Sequence, residues 1–179
     1  SVRMWTLETG KSKIFMTEEE DPVMGVVFSH DGKLIATASG DDTRPTQPGL
    51  IKLWDAKTGE KLKDFEEHKR VATGVTFSPD DSKLASTSQD EIVYIHDVKS
   101  GKLVQFYEEH GRPTNAVRFL PSGNELISIA GGRAVGKNEI HVWSIKTGKA
   151  IAKGVDHKGP VMAFALSADG KHMVSASRD

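Results

Sequence analysis

The sequence predicts an all-β fold built from four repeated, four-stranded antiparallel units. Three observations lead there. A Thr-Gly or Ser-Gly turn returns at Thr9-Gly10, Thr58-Gly59, Ser100-Gly101 and Thr147-Gly148, with its glycines 49, 42 and 47 residues apart. A second landmark, the last apolar residue before "SHDGK", "SPDDSK", "LPSGNE" and "SADGK", falls at Phe28, Phe77, Phe119 and Leu166, always 18 residues after a turn glycine. Between these marks the apolar residues alternate with small or polar ones, and no segment carries a helical period.

The second repeat shows the elements in order. "VATGVTF" reads as a strand, "SPDDSK" as a turn, "LASTS" as a strand, "QD" as a tight turn, "IVYIHD" as a strand, "KSG" as a turn and "KLVQFY" as the last strand. Such a unit is too small to bury its own faces, so neighbouring units must stack.

Composition narrows the functional classes. Of 179 residues, 37% are apolar, enough for a real core, and the net charge is -1 with lysines and arginines scattered among acids. No basic face for nucleic acid or an anionic membrane follows from that pattern. The absence of cysteine rules out disulfides and thiolate metal sites. No apolar run reaches the length of a membrane span. The compartment is left unknown, with the cytoplasm the most compatible.

The stretch "IKLWDAKTGE" followed by "EEHKRVATGVTFSPDDSKLASTSQD" resembles the WD-repeat β-propeller family, in the order Trp-Asp, turn, strand, "xH", inner strand, "SPDG"-like turn and a strand ending in Asp. The resemblance covers the whole chain. It implies four-stranded blades around a channel, with strands a to d numbered outward. Residues 1–17 would supply strands c and d of one blade, 18–66, 67–108 and 109–155 would form three blades, and 156–179 would supply strands a and b of the divided one.

The resemblance also implies a His, Ser/Thr, Asp, Trp tetrad in each blade. The matching positions are His68, Ser86 and Asp90, with His96 in place of Trp; His110, Ser128 and Trp143, with Gly132 in place of Asp; Thr37, Asp41 and Trp54, with Glu19 in place of His; and His157, Ser175 and Asp179, completed by Trp5. These groups recur once per repeat, so they read as structural networks rather than as a hydrolytic triad, and no catalytic residue is expected. The seven histidines are spread over different repeats without paired ligand spacing, which predicts no metal site and no cofactor. Glu18, Glu67, Glu109 and Asp156 replace the family glycine before the histidine and read as a solvated rim.

The repeats differ in length only between strands b and c, where "GDDTRPTQPGL" and "GGRAVGKNE" are inserted. Arg44, Gln47, Arg133 and Lys137 on these loops are the candidates for a protein or peptide partner. The two termini meet in register at a b–c turn, which reads as a unit excised from, or designed after, a larger ring. Closure is then expected through Val2, Met4, Trp5, Leu7, Met173, Val174, Ala176 and Asp179. Closing four blades turns each on the next by about 90°, closing eight by about 45°. The small inner-strand residues Gly25, Ala72, Ala116 and Ala163 suit close stacking, so two chains closing an eight-bladed ring is the expectation, with a self-closed four-bladed monomer, or a propeller enzyme or small-ligand binder acting at the channel mouth, as alternatives. The expected function is that of a noncatalytic, self-associating interaction scaffold.

Overall fold

The computed structural model describes residues 2–16, 21–44, 46–131 and 138–179. Sixteen strands form five antiparallel sheets among the described residues. The first is a two-stranded sheet of β1 (Val2–Thr6) and β2 (Lys11–Met16). Blade 1 follows with β3 (Val23–Phe28), β4 (Leu34–Ser39), β5 (Leu50–Asp55) and β6 (Lys61–Phe65). Blade 2 holds β7 (Ala72–Phe77), β8 (Lys83–Ser88), β9 (Val93–Asp97) and β10 (Leu103–Tyr107). Blade 3 holds β11 (Thr114–Phe119), β12 (Glu125–Ala130), β13 (Asn138–Ser144) and β14 (Lys149–His157). A second two-stranded sheet, β15 (Val161–Leu166) with β16 (Met173–Ser177), comes last. Each four-stranded sheet is a meander in sequence order, and the described residues contain no helix.

Repeated turn chemistry makes these meanders. In the a–b turns Ser29, Ser78 and Ser167 donate their hydroxyls to Asp31, Asp80 and Asp169, and the same carboxylates accept backbone N–H groups two residues on. Those hydrogen bonds hold Asp31 and Asp80 down at about 2. In the c–d turns Asp55 and Asp97 accept from the N–H groups of Thr58 and Ser100, and the following glycine takes a left-handed conformation, at φ 79° for Gly59.

The inner strands β3, β7, β11 and β15 stand side by side in that order. Each carries a bulge at the same repeat position, after Val23, Ala72, Thr114 and Val161. The bulged residue is aimed across the seam: the Thr73 hydroxyl donates to the Thr114 carbonyl at 2.6 Å and the Asn115 amide to the Val161 carbonyl at 2.8 Å. Close approach explains the small residues. A Cβ on Gly25 would lie 3.3 Å from Gly74 Cα, and one on Gly74 would lie 3.6 Å from Ala116 Cα. In blade 2 the residue in this register is Gly74 rather than Ala72.

The apolar core lies between blades rather than within them. Ala36, Ile51 and Leu53 of blade 1 pack with Val75 and Phe77 of blade 2, and Ala85, Val93 and Ile95 of blade 2 pack with Val117 and Phe119 of blade 3. Phe15, Val2 and Met4 place the first two-stranded sheet against Ile35 and Trp54 of blade 1. Among the described residues β1 pairs with β2 alone and β16 with β15 alone, so the strands of one chain do not close the ring upon themselves.

Candidate functional site

The tetrad positions are brought together to different degrees. In blade 2, His68 Nε2 meets Ser86 Oγ at 2.9 Å and Nδ1 meets Asp90 at 3.0 Å, all buried. Burial works against the Asp90 carboxylate, but its hydrogen bonds and attraction to His68 win and hold its pKa below the usual range. His96 does not join: its shorter ring lies against Phe65, with Nε2 3.0 Å from Glu67. Burial pushes the His96 imidazole down, so the neutral form is favoured.

In blade 3, His110 Nε2 and the Trp143 indole N–H converge on Ser128 Oγ at 2.6 and 3.2 Å. Burial drives the His110 pKa to about 3, with the nearby His141 and Lys153 charges adding to it. In blade 1 the Trp54 indole donates to Thr37 Oγ1 at 3.0 Å. Asp41 does not turn towards that pair; it accepts from Thr43 and Arg44 instead. Glu18, Glu19, Gly132, Arg133 and Lys137 lie outside the described residues.

The fourth set is divided. His157 meets Ser175 at 2.8 Å and Asp179 at 3.1 Å, while Trp5 stands on β1, in a different sheet and 58% exposed. The Lys158 N–H and His157 hold the Asp179 carboxylate at about 2. Of the residues expected at the ring closure, Val2 and Met4 face blade 1 and Met173 is half-buried, whereas Leu7, Val174 and Ala176 are exposed.

The exposed sheet faces follow each blade's place along the chain. Val75 and Phe77 are 7% and 2% exposed, yet Val26 and Phe28, the same residue types at the same repeat positions, are 56% and 53% exposed. At the other end Val174, the counterpart of fully buried Ala85, is uncovered. The 18-residue spacing aligns these positions but carries no mark of which one has a neighbour.

The described parts of the b–c and d–a loops share one face. They surround a cavity of about 520 Å³ at the mouth of the inner strands, with Arg70 and Arg178 on its rim and Thr73 and Asn115 on its floor. Both floor residues are already engaged in the seams. Arg44 is not a free cation either: it is paired with Asp41 and Asp21 and orders its own loop. Gln47 is exposed on that loop. Of the rim carboxylates, Glu109 pairs with Lys153 at 2.9 Å, Glu67 faces His96, and Asp156 is exposed.

A family profile described as "WD domain, G-beta repeat" matches residues 10–43, 59–97 and 148–179, more than half of the chain. The chain belongs to the WD-repeat family. Among curated relatives it is 31% identical over 87 residues to "Periodic tryptophan protein 2" of Arabidopsis thaliana, covering 49% of this chain and 9% of that protein. It is 29% identical over 96 residues to "WD repeat and SOCS box-containing protein 1" of Homo sapiens, covering 52% and 21%. It is 37% identical over 73 residues to "U4/U6 small nuclear ribonucleoprotein PRP4-like protein" of Arabidopsis thaliana, covering 40% and 12%. The aligned part is thus about a fifth or less of each relative's length. Its sheets are accordingly WD blades, and no helix of the described residues is long and apolar enough to cross a membrane.

Proposed function

We propose that this chain is a noncatalytic WD-repeat scaffold that offers its loop-bearing face to a protein or peptide and associates with a second copy to close an eight-bladed ring. The single observation behind the closure is the uncovered face of blade 1. Val26 and Phe28 repeat, more than half exposed, a surface that blades 2 and 3 bury against a neighbour. The matching surface is on β16, where Val174 takes the place of Ala85. Joining β16 of one copy to β1 of another would bring Trp5 to His157, Ser175 and Asp179 and cover both faces at once, in a twofold arrangement. An interface of this kind resembles a core cut in half and buries on the order of 2,000 Å² or more.

The scaffold role rests on family membership and on the blade 2 trio of His68, Ser86 and Asp90, whose polar groups are spent on one another rather than arranged around a reacting atom. Light scattering on a size-exclusion column tests the closure. Two copies give about twice 19.5 kDa at low micromolar concentration. A monodisperse single-chain mass there overturns it.

A further inference from the structure

The tetrad of blade 3 leaves nitrogen atoms without partners in the interior. His110 keeps Nε2 on Ser128, but its Nδ1, the atom that meets Asp90 or Asp179 in the other histidines, is buried without a hydrogen bond; the sequence has Gly132 in place of the acid. His141 stacks on it with ring centroids 4.1 Å apart and planes 6° from parallel. Its Nε2 is also fully buried and without a hydrogen bond, although Glu139 Oε2 lies 2.9 Å away, out of line. One ligand atom from each of His110, Glu139 and His141 falls within 4.8 Å of the others.

We propose that His110, His141 and Glu139 form a binding site for a divalent transition-metal ion of the zinc type. Two imidazoles and a carboxylate are a borderline-soft donor set suited to such an ion, with a fourth position left for water. The outer ring nitrogens are already oriented. In the tautomer that a metal ion would take, His110 Nε2–H donates to Ser128 Oγ, 2.6 Å away, and Nδ1 carries the lone pair. His141 Nδ1 is 2.8 Å from the Tyr107 hydroxyl. In the corresponding tautomer His141 Nδ1–H donates to the Tyr107 oxygen and the second lone pair sits on Nε2, 2.9 Å from the Glu139 carboxylate. Two electron-rich atoms then face each other in a buried place, an arrangement that a cation between them relieves. Glu109 and Glu139 outweigh the nearby cation Lys153, which pairs with Glu109 at 2.9 Å.

Coordination requires one ring to turn out of the stack, because parallel imidazoles direct their lone pairs in parallel planes. The donors must also settle at about 3.4 Å from one another, the spacing set by tetrahedral bonds of about 2.0–2.2 Å, so that His141 Nε2 and Glu139, now 2.9 Å apart, part slightly. The full chain titrated with ZnCl2 in a calorimeter should bind one ion per chain, and CoCl2 should give the visible absorption of a tetrahedral site. Glu139→Gln and His141→Gln should abolish both signals, and Tyr107→Phe should weaken binding roughly 10–100-fold. His157→Gln, at the exposed trio, should leave them unchanged. Glu139 is at the edge of the core, so its variant keeps the fold if its melting curve matches the parent. Absence of zinc binding, or binding that survives both Glu139→Gln and His141→Gln, overturns the site.

Discussion

Blade 2 meets blade 1 through Val75 and Phe77, and blade 1 offers Val26 and Phe28 to no one, although the two pairs are the same residues in the same register. The same residues in the same register therefore give similar strands but opposite burial, because a WD blade's core belongs to the seam and not to the blade. A strand end in this architecture is a half-built core, and the energetic value of a side chain depends on whether the next blade is present.

Single substitutions can break that comparison. The largest effect is expected at the inner seams. Phe77→Ala and Trp54→Ala should each lower unfolding stability in urea by about 3–5 kcal/mol. Their counterparts Phe28→Ala and Trp5→Ala should hardly move a dilute single chain, but should shift the mass at low micromolar concentration from two copies towards one. Equal losses from Phe28→Ala and Phe77→Ala in a chain proven monomeric would show that the faces are not distinct.

The two histidine trios give the next contrast. Asp90→Asn strips a buried imidazole of its carboxylate and should cost about 1–3 kcal/mol. In a dilute single chain Asp179→Asn makes the same change at the surface and should leave the melting curve close to the parent's, since water replaces the lost partner.

The smallest effect is on pH. His96 is buried with its pKa lowered, so the unfolded chain takes up the proton first. Its contribution is therefore intact above the ordinary histidine pKa of about 6.5 and is lost as the pH falls below it, by at most about 1.4 kcal/mol per pH unit. His96→Phe should make that part of a stability profile, measured by chemical denaturation from pH 7 to 5, less steep, leaving the share that buried His110 contributes. A profile of unchanged slope would remove His96 as the cause.

Much of the fold is legible in the sequence because its signals are local. The glycine of each Thr-Gly turn, the Ser–Asp pair of the a–b turns and the alternating strands all lie within a few residues of what they determine. The trios of His68 and His157 are readable for a related reason: each joins positions whose spacing recurs in the repeats. What cannot be read depends on neighbours. The stack of His110 on His141 joins a d–a loop to strand c, and the histidine spacing gives no sign of it; the one available hint is Gly132 in the acid's place. Arg44 reads as free on a long loop, but Asp21, on the other side of blade 1's first two strands, holds it. Asp41 has the tetrad position, whereas Thr43 and Arg44 within its own turn claim it first.

Asp81 occupies the turn position that Gly32, Gly123 and Gly170 fill elsewhere, and it keeps their left-handed backbone, with φ 58°. The strain is offset by its carboxylate, which accepts the N–H groups of His30 and Asp31 and the ring N–H of His30 from the adjoining blade. No other a–b turn has an acid there, so this clasp distinguishes the seam of blades 1 and 2 from its near-copies. In a chain of similar units, where a blade could dock on the wrong neighbour during folding, such a contact works as an address: it rewards one adjacency among several that the apolar faces alone would accept.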